Sequence, residues 1–139
     1  MQFAGNPAAV MPLKEWLPDD MLAAIAAEHN LAETAYFVPQ GRDFHLRWFT
    51  PTVEMPLCGH ATLASAFVVL NHLEPSRDNV VFHTLSGALT VARDGDRLIM
   101  SVVGTGWGDL SALRQRYVAF DKRTGAVRWI ATPSDAAVE

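Results

Sequence analysis

One cysteine stands among 139 residues, so no internal disulfide can staple the chain. The five histidines are scattered without metal-ligand spacing, which argues against a metal centre readable from sequence. Positive charge is scarce and unclustered: 11 Lys and Arg against 15 Asp and Glu give a net charge of −4. A basic stripe for nucleic acid and a polybasic membrane patch are both excluded. Long apolar runs are missing too. The longest, Ala61 to Leu70, is too short to span a bilayer and contains Thr62 and Ser65. The opening residues lack a basic segment and are interrupted by Gly5, Pro7 and Pro12, unlike a secretory signal. A soluble, cytoplasmic protein is the expectation.

What is present is apolar content, at 50% of residues, with ordinary glycine and proline. That composition belongs to a globular chain, and the length suits one domain burying about 70% of its extended surface. Turn chemistry at Gly5-Asn6-Pro7 precedes a short apolar strand. Pro18, Asp19 and Asp20 start a helix over about Asp19 to His29, with Met21, Leu22, Ile25 and Ala26 as its apolar stripe. Asn30 ends it. Thr34 to Val38 and Phe44 to Phe49 read as strands paired across Gly41-Arg42-Asp43.

A second helix runs from His60 to about Asn71 and is apolar all round, so it belongs inside a protein. Three more strands follow at Asn79 to Thr84, Ala88 to Ala92 and Arg97 to Val102. The turn Arg93-Asp94-Gly95-Asp96 marks a hairpin between the last two. An α+β lobe results, with a mostly antiparallel, barrel-like sheet wrapped around a buried helix. Composition shifts at Gly104. A glycine-rich stretch then leads into a second hairpin, Tyr117 to Phe120 and Ala126 to Ile130, around Asp121 to Gly125. Residues 1–103 are therefore expected as one lobe, and 104–139 as a linker and hairpin tail.

The start of the second helix concentrates the chemistry. Leu57-Cys58-Gly59-His60-Ala61-Thr62 puts small residues, a thiol and an imidazole where free backbone N–H groups and the positive dipole end meet. A carboxylate or a developing enolate suits that place. Glu33, beside Leu31, Ala32 and Ala35, is a candidate general acid–base, or a solvated loop glutamate. His60 can hydrogen-bond a substrate oxygen, or simply pack and cap. Cys58 is a thiol whose pKa a helix start would lower, or a small packing residue. Trp48, Phe49 and Phe67 belong to the core, and His29, His45, His72 and His83 show no partner pattern.

Four ordered motifs carry a resemblance: Phe3-x-Gly5-Asn6-Pro7-Ala8-Ala9-Val10, Asn30-Leu31-Ala32-Glu33-Thr34, Arg47-Trp48-Phe49-Thr50-Pro51 and Leu57-Cys58-Gly59-His60-Ala61-Thr62. Residues 3 to about 102 resemble the N-terminal lobe of the PhzF-like phenazine-biosynthesis family, which has the diaminopimelate-epimerase fold. The resemblance implies two similar lobes with the active site between them. It also implies cofactor-free proton-transfer isomerisation of a small carboxylated metabolite; the best-known member acts on a dihydro-hydroxyanthranilate. On that basis Glu33 carries the proton and His60 shares the catalytic work, while Asn6, Cys58, Gly59 and Ala61 border the substrate. Related epimerases and proline racemases use two thiols, which a lone Cys58 cannot supply within one subunit.

The family's first strand is almost wholly missing here, and so is its second lobe. Tyr117 to Trp129 instead resembles one repeat of a pyrroloquinoline-quinone-type β-propeller. The chain thus reads as a truncated or fused product carrying half an isomerase cleft. The alternative is a catalytically inactive binding or oligomerisation module, pairing as a homo-oligomer through the exposed lobe face.

Overall fold

The computed structural model describes residues 6–95 and 97–100, and the backbone of 101–102, 116–121 and 127–131. Expectations for Gly5, for Gly104 to Gly108 and for the turn at 122–126 lie outside the described residues. The described chain runs β1 (Ala8–Pro12), α1 (Asp19–His29), β2 (Glu33–Gln40), β3 (Asp43–Phe49), β4 (Glu54–Met55) and α2 (Gly59–Val68). It continues with β5 (Asn79–Thr84), β6 (Gly87–Asp94), β7 (Arg97–Val102), β8 (Arg116–Asp121) and β9 (Val127–Ala131). One sheet holds all nine strands in the order β1-β2-β3-β5-β6-β7-β8-β9, with β4 added against β3. Among the described residues, only β1 with β2 and β3 with β5 pair in parallel. The mostly antiparallel α+β lobe expected from sequence is the fold found.

Period-two alternation in β2 and β3 sorts side chains between two helices. Ala35, Phe37, Phe44, Leu46 and Trp48 point to the main core with α2. Tyr36 and Phe49 point the other way, onto Leu22 and Ala26 of α1. The Tyr36 hydroxyl donates to the Leu22 carbonyl at 2.8 Å, which pins α1 to that face. The other core runs on through Val80, Phe82, Leu89, Val91, Leu98 and Met100. Helix α2 touches β1, β2 and also β7, strands far apart in the sheet order, so the sheet curls around it.

The helices end where local chemistry directs. Pro18 precedes α1 and offers no side-chain cap; Asp20 Oδ1 accepts the Met21 N–H at 2.9 Å instead. Asn30 stops the helix in the left-handed region, at φ 48°, where asparagine is tolerated better than most residues. The second helix differs from expectation at both ends. It begins at Gly59, and from Val69 to Leu73 it widens into a π-helical turn. Arg93 of β6 holds that turn by donating to the Leu70 carbonyl and, at 3.1 Å, to Asn71 Oδ1. Among the described residues no helix is long and apolar enough to cross a membrane.

Candidate active site

Glu33 is the first residue of β2, in a strand rather than in a loop as its sequence position suggested. Alternation turns its side chain to the same face as Ala35, and Ala35 lies opposite Trp48 in the β2–β3 register. That face is the one covered by α2, so Glu33 meets the helix start. Its Oε2 lies 3.0 Å from His60 Nε2, with the two side chains only 17% and 26% exposed. The approach is close but off-axis: neither atom completes an aligned hydrogen bond, and both are buried. A carboxyl and an imidazole thus stand together with unspent hydrogen-bonding capacity.

The helix start supplies the rest of the wall. Cys58 is the N-terminal cap residue, in extended conformation, and makes no side-chain cap bond. Its carbonyl is held by Thr62 Oγ1 at 2.6 Å and by the Thr62 N–H at 3.2 Å. The N–H groups of Gly59, His60 and Ala61 precede that first helical bond, and those of His60 and Ala61 are directed to the Cys58 sulfur. Burial of Ala61 and Thr62 anchors the turn in the core. Gly59 is not held by an unusual backbone angle, and a Cβ there would meet only Met100 Cε at 3.5 Å. Asn6 is exposed and lies two residues ahead of Ala8, the register partner of Glu33, which puts it at the same end of the sheet.

Of the two readings of Cys58, burial favours the packing residue. A helix start alone would lower its pKa, yet the Cys58 thiol is pushed up to about 11. Burial is the main cause, and the nearby Glu33 carboxylate adds to it; the N–H groups of Ala61 and His60 oppose the rise and lose. Cys58 is therefore a thiol, not a ready nucleophile. Its Sγ lies 3.4 Å from His60 Nδ1. The ligand atoms of Glu33, Cys58 and His60 fall within 4.8 Å of one another, so these are the residues that could be drawn onto a cation.

Sequence reasoning placed Trp48 in the core, and it is 1% exposed. It missed that the indole Nε1–H is buried without a partner on the face that carries Glu33. Only the strand register shows this, because alternation alone marks Trp48 as apolar filling. Three of the four histidines away from the site also have polar partners. His45 Nδ1 accepts from Trp16 Nε1 at 3.2 Å, His83 Nε2 meets Asp43 Oδ2 at 3.1 Å, and His29 Nδ1 meets Thr34 Oγ1 at 3.0 Å.

A sheet curled around a helix whose start carries an imidazole beside a strand carboxyl defines an α+β lobe. Residues 1–105 match the family model described as phenazine biosynthesis-like protein (PhzC-PhzF). The chain belongs to that family. It is 55% identical over 98 residues to a Pseudomonas aeruginosa protein named as an uncharacterized isomerase, covering 70% of this chain and 38% of that protein. It is 44% identical over 108 residues to the human phenazine biosynthesis-like domain-containing protein, covering 72% and 38%.

Among solved structures, a PhzC/PhzF protein of Clostridium difficile superposes with TM-score 0.70 at 36% identity, over 84% of this chain and 49% of that one. A PhzF-family protein of Enterococcus faecalis gives TM-score 0.70 at 34% identity, over 98% and 58%. The chain therefore spans between 38% and 58% of the length of these relatives.

Proposed function

We propose that this lobe supplies the proton-carrying half of an isomerase acting on a small carboxylated metabolite. The observation that carries it is the Glu33–His60 pair at 3.0 Å, buried and short of an aligned hydrogen bond. In this scheme the substrate carboxylate, or the enolate that develops from it, lies against the positive end of α2 at Gly59, His60 and Ala61. Glu33 takes a proton from one carbon, the electron pair moves through the conjugated system, and Glu33 returns the proton to another carbon. Nothing is oxidised or reduced. His60 contributes a hydrogen bond from Nε2 to the substrate oxygen or to Glu33. The setting is the cytoplasm, with neither nucleic acid nor membrane as partner, in keeping with a net charge of −4.

The test is solvent-deuterium incorporation into a panel of unsaturated cyclic amino- and hydroxy-carboxylates, a dihydro-hydroxyanthranilate among them, followed by NMR. Incorporation with the native chain and its loss in Glu33→Gln is the expected result. Exchange retained in Glu33→Gln refutes the assignment.

A second reading, a lobe that works by self-association, is favoured by an apolar rim beside the site. Leu85 is 74% exposed on the β5–β6 turn, and Leu57 is 38% exposed just before the helix start. Ser86 Oγ donates to the Pro56 carbonyl at 2.7 Å and ties the two segments together. Sedimentation over a concentration series decides it, since a persistent monomer contradicts a role built on homo-oligomers.

A further inference from the structure

We propose that Glu33, Cys58 and His60 together bind a divalent metal ion of the zinc class, with a fourth position left for a water or a substrate oxygen. The site joins the first residue of β2 to the start of α2.

The donor atoms already converge. Glu33 Oε2 lies 3.0 Å from His60 Nε2, and Cys58 Sγ lies 3.4 Å from His60 Nδ1. One ligand atom from each residue falls within 4.8 Å of the other two. Tetrahedral zinc, with bonds of about 2.0–2.3 Å, sets its ligand atoms about 3.3–3.8 Å apart. Side-chain rotations of about an ångström close that difference. The carboxyl and imidazole atoms approach each other without an aligned hydrogen bond, and both are buried without a partner. Buried polar atoms are nearly always satisfied, so two unpartnered ones facing a common point mark a place for a third group.

The donor set selects the kind of ion. Carboxylate oxygen, imidazole nitrogen and sulfur suit Zn²⁺ or Co²⁺, whereas Mg²⁺ and Ca²⁺ take six or more oxygens. The turn is also built to hold a metal-bound sulfur. The N–H groups of His60 and Ala61 are directed to it, and Thr62 fixes the Cys58 carbonyl from one turn on. In the free chain burial and the Glu33 carboxylate keep the thiol protonated. A cation lying between the two groups cancels the second effect. The metal–sulfur bond forms as the S–H bond breaks, and the proton leaves to solvent.

An ion held there takes the Glu33 oxygen that proton transfer needs, so metal binding and isomerisation exclude each other. This consequence rests on the reading of Glu33 as the proton carrier.

The test is a Co²⁺ titration of the full chain, stripped with a chelator and followed by absorption. A sulfur-to-cobalt charge-transfer band can come only from Cys58, because the chain has one cysteine. That band is expected with the strong visible absorption of a four-coordinate ion. Zn²⁺ should displace the Co²⁺, and Mg²⁺ should not. Cys58→Ser should abolish the band, and Glu33→Gln and His60→Gln should each weaken Co²⁺ binding about tenfold or more. No band in the native chain, binding unchanged by both Glu33→Gln and His60→Gln, or displacement by Mg²⁺ as readily as by Zn²⁺ would each overturn the site. Where a variant fails to fold, the native chain still decides: the band should vanish in urea, and one that survives unfolding belongs to the thiol alone and overturns the site. Saturating Zn²⁺ should also stop solvent-deuterium exchange. Exchange that continues with Zn²⁺ bound, yet is lost in Glu33→Gln, refutes the exclusion. Exchange retained in Glu33→Gln removes the proton-carrier reading and leaves the Co²⁺ spectrum standing, so the two failures are distinguishable.

Discussion

Replacing Gly59 by alanine separates a glycine needed by the fold from one needed by a substrate. Gly59 is the first residue of α2 and has no positive φ, so alanine fits its backbone without strain. The added Cβ would meet Met100 Cε at 3.5 Å, an ordinary van der Waals contact with the flexible end of a methionine. Glycine in a helix interior costs about 0.5–1 kcal/mol relative to alanine. The first turn carries only part of that difference, so Gly59→Ala is expected to leave stability unchanged or to raise it by up to about 0.5 kcal/mol. Urea unfolding followed by circular dichroism reads this directly. Deuterium exchange into substrate should behave otherwise. If a substrate carboxylate rests on the start of α2 as proposed, a methyl group on its first residue should crowd it, and a fall of tenfold or more corresponds to about 1.4 kcal/mol of lost transition-state binding. Destabilisation by more than about 1 kcal/mol would refute the geometry at Met100. Unchanged exchange would show that no substrate approaches the backbone at Gly59.

Three further perturbations address other parts of the molecule. Tyr36→Phe removes a buried hydrogen bond to α1 and should cost about 1 kcal/mol by urea unfolding. Burial raises the Tyr36 pKa, so the unfolded chain ionises first and native stability falls as pH climbs past about 10; Tyr36→Phe should flatten that alkaline loss, and an equal loss in both proteins would contradict it. His45 is held below its usual pKa by burial first and then by Arg47 and His83, against an opposing pull from Glu54. The unfolded chain takes the proton first, so stability should drop as pH falls below about 6.5, and His45→Gln should remove that slope in pH-dependent unfolding. Cys58, with its pKa raised from 9.0 to about 11, should carry about a hundredfold less thiolate at neutral pH than an ordinary cysteine. Iodoacetamide should label it slowly in the native chain and quickly in denaturant, and fast native labelling would count against a buried neutral thiol.

Local signals made much of this fold legible. Pro18 and the acids after it, with Asn30 at the other end, bounded α1 at the residues observed, because caps act within a single turn. The hairpin turns were legible from glycine and its neighbours, and Gly41 and Gly95 do take positive φ. What was hidden depends on partners far along the chain. β4 is two residues long and exists only as an addition to β3, and the π-helical turn depends on Arg93 reaching across from β6. The Glu33–His60 pair has no spacing signature of its own. It was legible only through motif resemblance, since the strand register that turns Glu33 toward α2 is a tertiary property. The two readings of Cys58 stayed open in the sequence for a related reason: a dipole is visible there, but how far burial outweighs it is a tertiary property.

The helix that carries His60 is also part of the crossover joining the parallel strands β3 and β5, which pair through Phe44 with Phe82 and His45 with His83. Parallel pairing cannot be completed by a tight turn, so the chain must close a long loop before that pair rewards it. The hairpins β2–β3 and β5–β6 can zip locally and early, whereas the seating of α2 must wait for the two halves of the sheet to meet. In the folding of this lobe the Glu33–His60 approach is thus expected among the last contacts made. Amides at the start of α2 should accordingly gain hydrogen-exchange protection after those of the hairpins, and a mutation that slows the β3–β5 closure would delay the site without touching any of its residues.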